Sequence, residues 1–334
     1  MAETLFENGN GPKAADQRVL RDFADGDKVS AVFVVRERER RQKKNGDDFL
    51  RLVLADRTGS VPAIAWDRVA EGFETCTPGA IVMVGGRFSV HPQFGRQIKL
   101  SSVRPAAPDE YDPEELTEGP ERSIELLEVD LRGLLETIQS PALRTLLDCF
   151  FGTETENWKR FREAPAAKHY HQAYVGGLLE HSLSVAQAVS AASNFFPGID
   201  RDIAVTGALL HDIGKTEAYN DDPLAIELTD AGRLQAEIPL GYYKVRRQIE
   251  EMEGFDADLA QAVLHIILSH HGALEHGSPV LPCTREATLV HTIDKLGGRL
   301  GSFDRLEREL VDGESWSRYD RGIEGAAFFG SKAA

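Results

Sequence analysis

Residues 178–215 read LLEHSLSVAQAVSAASNFFPGIDRDIAVTGALLHDIGK, and this stretch decides the character of the larger part of the chain. Its apolar residues recur at helical spacing, with His181 early on one predicted helix and His211-Asp212 closing a second, just before Gly214 and Lys215. The theme returns downstream. LSHHGALEHGSP supplies His270 and His271, and LVHTIDKLGG supplies Asp294. Nine of the ten histidines fall between residues 169 and 291. Imidazole and carboxylate are ligands that suit Zn, Mn, Fe or Ni, and His-Asp pairs at helix ends converge readily inside a bundle. The reading is a metal site built inside a helical domain.

Working outward, the 3.6 period dominates from residue 123 to the C-terminus. Helices are predicted near 124–138, 141–151, 155–163, 171–195, 201–212, 230–253, 256–271, 284–299 and 302–311. Residues 28–104 have period two instead. KVSAVFVVRE, FLRLVLAD, GSVPAIAW, AIVMVGGRFSV and RQIKLSSVRP read as five strands, with a tight turn at Asp56-Arg57-Thr58-Gly59 and a short helix over 68–76. Five strands with a helix between the third and fourth describe an OB-fold barrel, a fold that commonly binds single-stranded nucleic acid. The fold class is thus multidomain α+β, a five-stranded barrel followed by an all-α bundle. The expected boundaries are a loose N-terminus over 1–17, the barrel over 18–105, an acidic Pro-rich linker over 106–123, the helical domain over 124–312 and an aromatic tail over 313–334.

The net charge of −16 argues at first against a nucleic-acid partner. It is unevenly placed: residues 1–105 carry 17 Lys and Arg against 14 Asp and Glu, a net of +3, which leaves −19 for the remainder. Local patches, not the total, set what a groove attracts. The segment RERERRQKKNG (36–46), taken as the loop between the first two strands, holds Arg36, Arg38, Arg40, Arg41, Lys43 and Lys44 against Glu37 and Glu39. It reads either as a phosphate-contacting arm or as a solvated hairpin tip. Phe33, Phe49, Trp66, Phe88 and Phe94 are candidate stacking residues; most are expected in the barrel core, with Trp66 and Phe94 retained as contacts for bases. Cys76, Cys149 and Cys283 form no CxxC pair, so no disulfide framework or cysteine zinc site is indicated, and a reducing cytoplasm is the expected setting. No apolar run approaches the ~20 residues of a membrane span.

The order H…HD…D, carried by His181, His211, Asp212 and Asp294 in LLEHS, HDIGK and HTIDK, resembles the HD superfamily of metal-dependent phosphohydrolases. With the barrel in front, and with PAAKHYHQAYVGGLLEHS, LTDAGRLQAEI and LSHHGALEHGSP alongside, residues 18 to 329 look like a YhaM-type 3′→5′ exoribonuclease. The resemblance implies stepwise hydrolysis of single-stranded RNA, and of DNA as a second substrate, to nucleoside 5′-monophosphates. It also implies a homo-oligomer and one or two divalent ions, Mn²⁺ foremost, with Mg²⁺, Co²⁺, Fe²⁺, Ni²⁺ or Zn²⁺ as alternatives. Asp212 is suited to bridging two ions and Lys215 to holding a phosphate oxygen, while His270 and His271 resemble the added histidines of binuclear members. Where that family usually has a histidine, this chain has Glu237, whose carboxylate can also ligate Mn²⁺ or Mg²⁺. His291 reads either as support behind the ligands or as a satisfied core histidine, His265 as core, and His169, His171 and His276 as residues of the entrance. Two other readings stand beside this one: a nucleotide or cyclic-dinucleotide phosphohydrolase, and a non-catalytic RNA-binding protein.

Overall fold

The computed structural model describes residues 18–330 apart from 44, 92–94, 118, 121, 169–171 and 311–312, so Lys44, Phe94, His169, His171, the start over 1–17 and the last residues lie outside the described residues. The chain forms two compact units, one of residues up to 118 with Asp222–Ala225, the other of Gly119–Asp221 with Ile226 onward.

In the first unit, the strands carry apolar residues at alternating positions over much of their length, and a sheet with one buried face closes on itself to hide it. Strands β1 (Lys28–Gln42), β2 (Asp48–Asp56), β3 (Gly59–Ala65), β4 (Ile81–His91) and β5 (Gly95–Pro105) form a closed barrel in the order β1-β2-β3-β5-β4, with helix α1 (Val69–Thr75) between β3 and β4. This is the expected OB-fold architecture. Val29, Ala31, Phe33, Val35, Leu50, Leu52, Leu54, Val61, Val84, Phe88 and Ile98 fill its interior. Phe33 and Phe88 are therefore core. The Asp56 carboxylate accepts from both the backbone N–H and the hydroxyl of Thr58, at 2.7 and 2.6 Å, and so fastens the predicted β2–β3 turn.

One expectation is corrected. Residues 36–42 are strand, not loop: after a bulge between Val35 and Glu37, β1 runs on to Gln42 and pairs with β2 as far as Gln42↔Asp48. Alternating charge is compatible with a strand wherever both faces meet water, and here one ion pair crosses to β2 and another runs along β1. Arg40 Nε donates to Asp48 at 2.6 Å, and Arg41 pairs with Glu39 at 2.8 Å.

The second unit is helical throughout: α2 (Ile124–Glu136), α3 (Pro141–Phe151), α4 (Glu156–Glu163), α5 (Gly177–Ser193), α6 (Arg201–Leu210), α7 (Lys215–Ala218), α8 (Asp230–Gln235), α9 (Glu237–Glu250), α10 (Ala257–Ser269) and α11 (Arg285–Glu309). Side chains of Ser123, Ser140, Thr155, Asp200, Thr229, Asp256 and Thr284 each accept an N–H of the first turn they precede. A cap of this kind stabilises a helix by about 1 kcal/mol, which explains why helix starts were well marked in the sequence.

Three helix limits differ from expectation. The predicted 171–195 helix begins only at Gly177, because Gln172 and Gly176 have φ of 62° and 80°. The predicted 230–253 helix is two helices, broken at Ala236 with φ 61° and ψ 169°. The predicted 284–299 and 302–311 helices are one, running through Gly297, Gly298 and Gly301. There the following chain packs back, Ile323, Ala327 and Phe329 gathering on Leu306 and Asp320 pairing with Arg305 at 2.5 Å. Such packing outweighs the ~1 kcal/mol that each glycine costs a helix. Among the described residues no helix is long and apolar enough to cross a membrane.

Candidate functional site

The centre of the helical unit is assembled by four helices. Residues 204–210 of α6 are all buried, so the helix delivers His211 and Asp212 into the interior at its C-terminal end. Gly207 permits this: a Cβ there would stand 2.3 Å from the Ile266 side chain, and its absence lets α10 lie against α6. The consequence is that His270, which caps α10, reaches within 4.9 Å of the His211 ring, centroid to centroid. Gly214 acts in the same way toward α9. A Cβ on it would fall 2.0 Å from the Glu237 carbonyl oxygen, so only glycine lets the start of α9 close over the His-Asp turn. His181 comes from α5 and Asp294 from α11.

The groups converge tightly. His181 Nε2 lies 3.2 Å from His211 Nε2, 3.3 Å from Asp212 Oδ2 and 3.2 Å from Asp294 Oδ1. His211 Nε2 lies 3.3 Å from the same Asp212 oxygen. The other oxygen of Asp212, Oδ1, faces His270 Nε2 at 3.5 Å. Two sets of three potential ligand atoms, His181-His211-Asp294 and His211-Asp212-His270, each fit within 4.8 Å. Nδ1 of His211 and of His270 is committed to the carbonyl of Ala208 and of Ile267, at 2.7 and 2.8 Å. With Nδ1–H donating to a carbonyl, each ring turns its Nε2 lone pair into the cluster, as metal-ligating histidines do.

Two buried carboxylates are held ionised by the cationic groups around them. Burial opposes the charges on Asp212 and Asp294, yet Lys215 and His211 hold the first well below the usual carboxylate range, and His181 and His211 do the same for the second. Burial likewise opposes a charge on His181, but hydrogen bonds to Asp212 and Asp294 push its pKa up to about 9. Lys215 Nζ donates to Asp212 Oδ2 at 2.7 Å, and its own pKa is raised against burial by that carboxylate. Asp212 Oδ1 and His270 Nε2 remain buried with no hydrogen-bond partner among the described residues. An unpartnered buried polar atom costs about 1–3 kcal/mol, so two of them facing each other at ligand spacing fit an ion between them. The donor set of imidazole and carboxylate suits a divalent transition metal.

The remaining candidates sit around this centre. His271 Nδ1 bonds the His276 carbonyl at 2.8 Å and its Nε2 faces Glu237 Oε1 at 3.8 Å, so these two form the outer edge of the cluster. Burial and the neighbouring His270 keep the His271 pKa low, which leaves its lone pair free. His291 Nδ1 bonds the His270 carbonyl at 2.7 Å and so steadies that ligand from behind. His265 stands outside the cluster, its Nε2 accepting the Cys283 N–H at 3.0 Å. Two residues escaped the sequence reading. Tyr219 ends α7, its N–H bonded to the Lys215 carbonyl, and burial pushes its hydroxyl pKa up, opposed by Lys215 and reinforced by Glu237 and Asp212. Nothing in AYNDDP signals it. Lys244 is buried and bonds Thr216 Oγ1 at 3.1 Å and Glu217 at 3.2 Å, tying α9 to α7 behind Lys215. Its signal was available, a lysine on the apolar face of α9 between Leu240 and Ile249.

On the barrel, the basic set divides. Arg36 donates to the Pro223 and Leu224 carbonyls at 3.0 and 2.9 Å, and Arg38 lies over the Phe73 ring and donates to its carbonyl. Arg40 and Arg41 are ion-paired on the hairpin, as described above. Lys43 Nζ instead stands 5.1 Å over the Trp66 ring, and Trp66 packs on Phe49 at 5.1 Å while staying 46% exposed. The register sets Arg41 opposite Phe49, and Arg51 opposite Ile64, which is in turn opposite Lys99. The outer face of β1–β3 therefore carries an aromatic platform fringed by cations.

Residues 178–298 match the HD domain family. Across 88% of the chain and 92% of the relative, the sequence is 29% identical to the 3′-5′ exoribonuclease YhaM of Bacillus subtilis. At the same coverage it is 30% identical to the YhaM of Bacillus velezensis. Among solved structures, the second OB-fold domain of replication protein A from Methanococcus maripaludis aligns over 27% of this chain and 93% of that one, with 20% identity and a TM-score of 0.23.

Proposed function

The chain belongs to the YhaM family of 3′-5′ exoribonucleases, and from that membership we propose a metal-dependent enzyme that shortens single-stranded RNA from its 3′ end. The observation that carries the proposal is the convergence of His181, His211, Asp212, His270 and Asp294 inside the HD domain. In this reading His181, His211, Asp212 and Asp294 would hold one divalent ion, and Asp212 and His270, with His271 and Glu237 at the edge, would hold a second. Bound there, such ions would supply Lewis-acid polarisation of the scissile phosphate and lower the pKa of nearby water toward neutrality. Mn²⁺ suits this mixed imidazole and carboxylate set, and Glu237 makes the outer position more anionic than an imidazole would.

The chain's own groups do the rest. Lys215, drawn into the centre by Asp212, offers an ammonium to a non-bridging phosphate oxygen as charge builds there. The buried walls around His211 and His270 exclude bulk water, and carbonyls from Ala208 and Ile267 keep both rings aimed. Water adds to phosphorus, the bond to the 3′ oxygen of the penultimate nucleotide breaks, and that oxygen takes up a proton. The products are a nucleoside 5′-monophosphate and a strand one residue shorter. The Trp66–Phe49 platform with Lys43 supports the barrel as the strand-holding surface, stacking for bases and a cation for phosphate. Single-stranded DNA has the same two recognition features and is the second substrate of this reading.

A homo-oligomer in a reducing cytoplasm completes the proposal. Leu296, Leu300 and Phe303 form an exposed row at i, i+4 and i+7 on α11, which supports self-association. The deciding experiment is a time course on 5′-labelled single-stranded RNA with Mn²⁺, Mg²⁺ or EDTA, resolved at single-nucleotide steps. A ladder that shortens from the 3′ end with Mn²⁺ and stays intact with EDTA is expected. Intact RNA under every ion, beside turnover of a free or cyclic nucleotide, would replace the exonuclease with a nucleotide phosphohydrolase.

A further inference from the structure

Helix α9 starts at the cluster, with Glu237 3.8 Å from His271, and runs away from it for 14 residues. From Ile238 to Ile249 it contains no acidic residue, although the chain beyond residue 105 is strongly acidic. Its exposed side instead presents Tyr243, Arg246 and Arg247, with Tyr243 62% exposed. The Arg247 guanidinium lies 5.9 Å from the Tyr243 ring and the Arg246 guanidinium 6.0 Å from Tyr242. Helix α4, which packs on α3 as α9 does, adds the exposed basic run Lys159 and Arg160. Burial lowers the Lys244 pKa against the pull of Glu217, and Arg160 and Arg247 act in the same sense as burial.

A solvated helix face would balance these charges with acids, and the balance here is incomplete. Arg246 is paired with Glu250 at 2.8 Å, and Arg160 with Glu156 at 3.6 Å, where both partners are half exposed or more. Surface pairs of this kind contribute about 0–1 kcal/mol and are readily exchanged for another anion. Arg247 and Lys159 have no ion-pair partner among the described residues. Like charges gathered without full compensation are disfavoured unless an anion joins them. Aromatic rings interleaved with those cations define the anion further, because a π-face and a phosphate together are what a single-stranded nucleic acid offers. At 1.5 Å of rise per residue, Tyr243 and Arg247 stand about 9 and 15 Å along the axis from Glu237.

We propose that the exposed face of α9, with Arg160 of α4, is a second strand-binding surface. On it Tyr243 stacks a base, and Arg160 and Arg247 hold phosphates of the single strand next to the nucleotide being removed. The inference rests on the exonuclease reading and adds to it a track on the helical unit itself, separate from the barrel platform. It assigns work to a basic segment that the metal centre does not use.

The test is binding of labelled single-stranded RNA by the full chain in EDTA, across a range of salt concentrations. Arg160→Gln with Arg247→Gln should reduce the slope of log K against log salt by about 1.4, roughly 0.7 for each lost phosphate contact. Tyr243→Ala should weaken binding about tenfold through lost stacking. Glu250→Gln, which frees Arg246, should tighten it. All four positions are on the surface, and melting curves that coincide with wild type exclude misfolding as the cause. Unchanged affinity and slope in the double variant and in Tyr243→Ala, in a protein that still trims RNA from the 3′ end, would overturn this inference alone. A wild-type chain that trims no RNA would remove the exonuclease reading and this surface with it.

Discussion

Asp212 carries the most at the scale of the single residue, because its two oxygens face different neighbours. Oδ2 meets His181, His211 and Lys215, and Oδ1 meets, among the described residues, His270. Asp212→Ala should therefore lower hydrolysis on the order of 10³-fold or more while strand affinity in EDTA stays near wild type. Single-turnover rates and filter binding check this, and loss of both properties together would mean that catalysis and strand binding are not separable. Ala236 is the complementary case, a residue that sequence gives no reason to notice. Its φ of 61° with ψ of 169° belongs to a region that only glycine enters freely, and it stands directly before Glu237. Strain of this kind costs about 1–3 kcal/mol, and glycine's greater freedom in the unfolded chain cancels up to about 1 kcal/mol of the relief. Ala236→Gly should then raise stability by about 1 kcal/mol in urea unfolding. A destabilised variant would show that the backbone at 236 is not strained as described.

Among elements, the β1–β2 hairpin separates what composition can say from what contacts decide. Six basic residues in RERERRQKKNG looked equivalent in the sequence. In the structure Arg36 and Arg38 serve backbone carbonyls and Arg40 and Arg41 serve carboxylates, while Lys43 lies over the exposed Trp66. A cation already neutralised by a neighbour has less to offer a phosphate. Lys43→Gln and Trp66→Ala should each weaken RNA binding more than Arg40→Gln, the tryptophan by about 1–3 kcal/mol. Equal losses at all three positions in titrations at constant salt would return the hairpin to a uniform, solvated charge. Helix starts were legible because a Ser, Thr or Asp cap is a local signal. The breaks at Gln172 and Ala236 and the continuity of α11 were not, since backbone conformation there answers to tertiary neighbours.

For the whole molecule, five ligand-type side chains drawn from α5, α6, α10, α11 and the turn after α6 make metal binding a property of the folded state alone. An ion that binds the native centre and not the unfolded chain adds about 2.7 kcal/mol at a hundredfold excess over its Kd. Saturating Mn²⁺ should accordingly raise the melting temperature of the EDTA-treated chain by roughly 5–10 °C. Asp294→Ala should abolish most of that rise. The same shift in wild type and variant would place the ion elsewhere.

The sequence by itself determined the two architectures, the order of the strands and most helix starts, because period two, period 3.6 and capping residues are written locally. It also determined which residues are chemically able to hold a metal. Tertiary structure alone decided which of them meet. Gly207 and Gly214 matter only because Ile266 and the Glu237 carbonyl come to lie against them, from segments far along the chain. The pairing of Asp212 Oδ1 with His270 and the anchoring of Lys244 follow from that packing. The reason is physical: propensity and pattern act over one or two turns, whereas distance between side chains is fixed by how whole faces exclude water from one another.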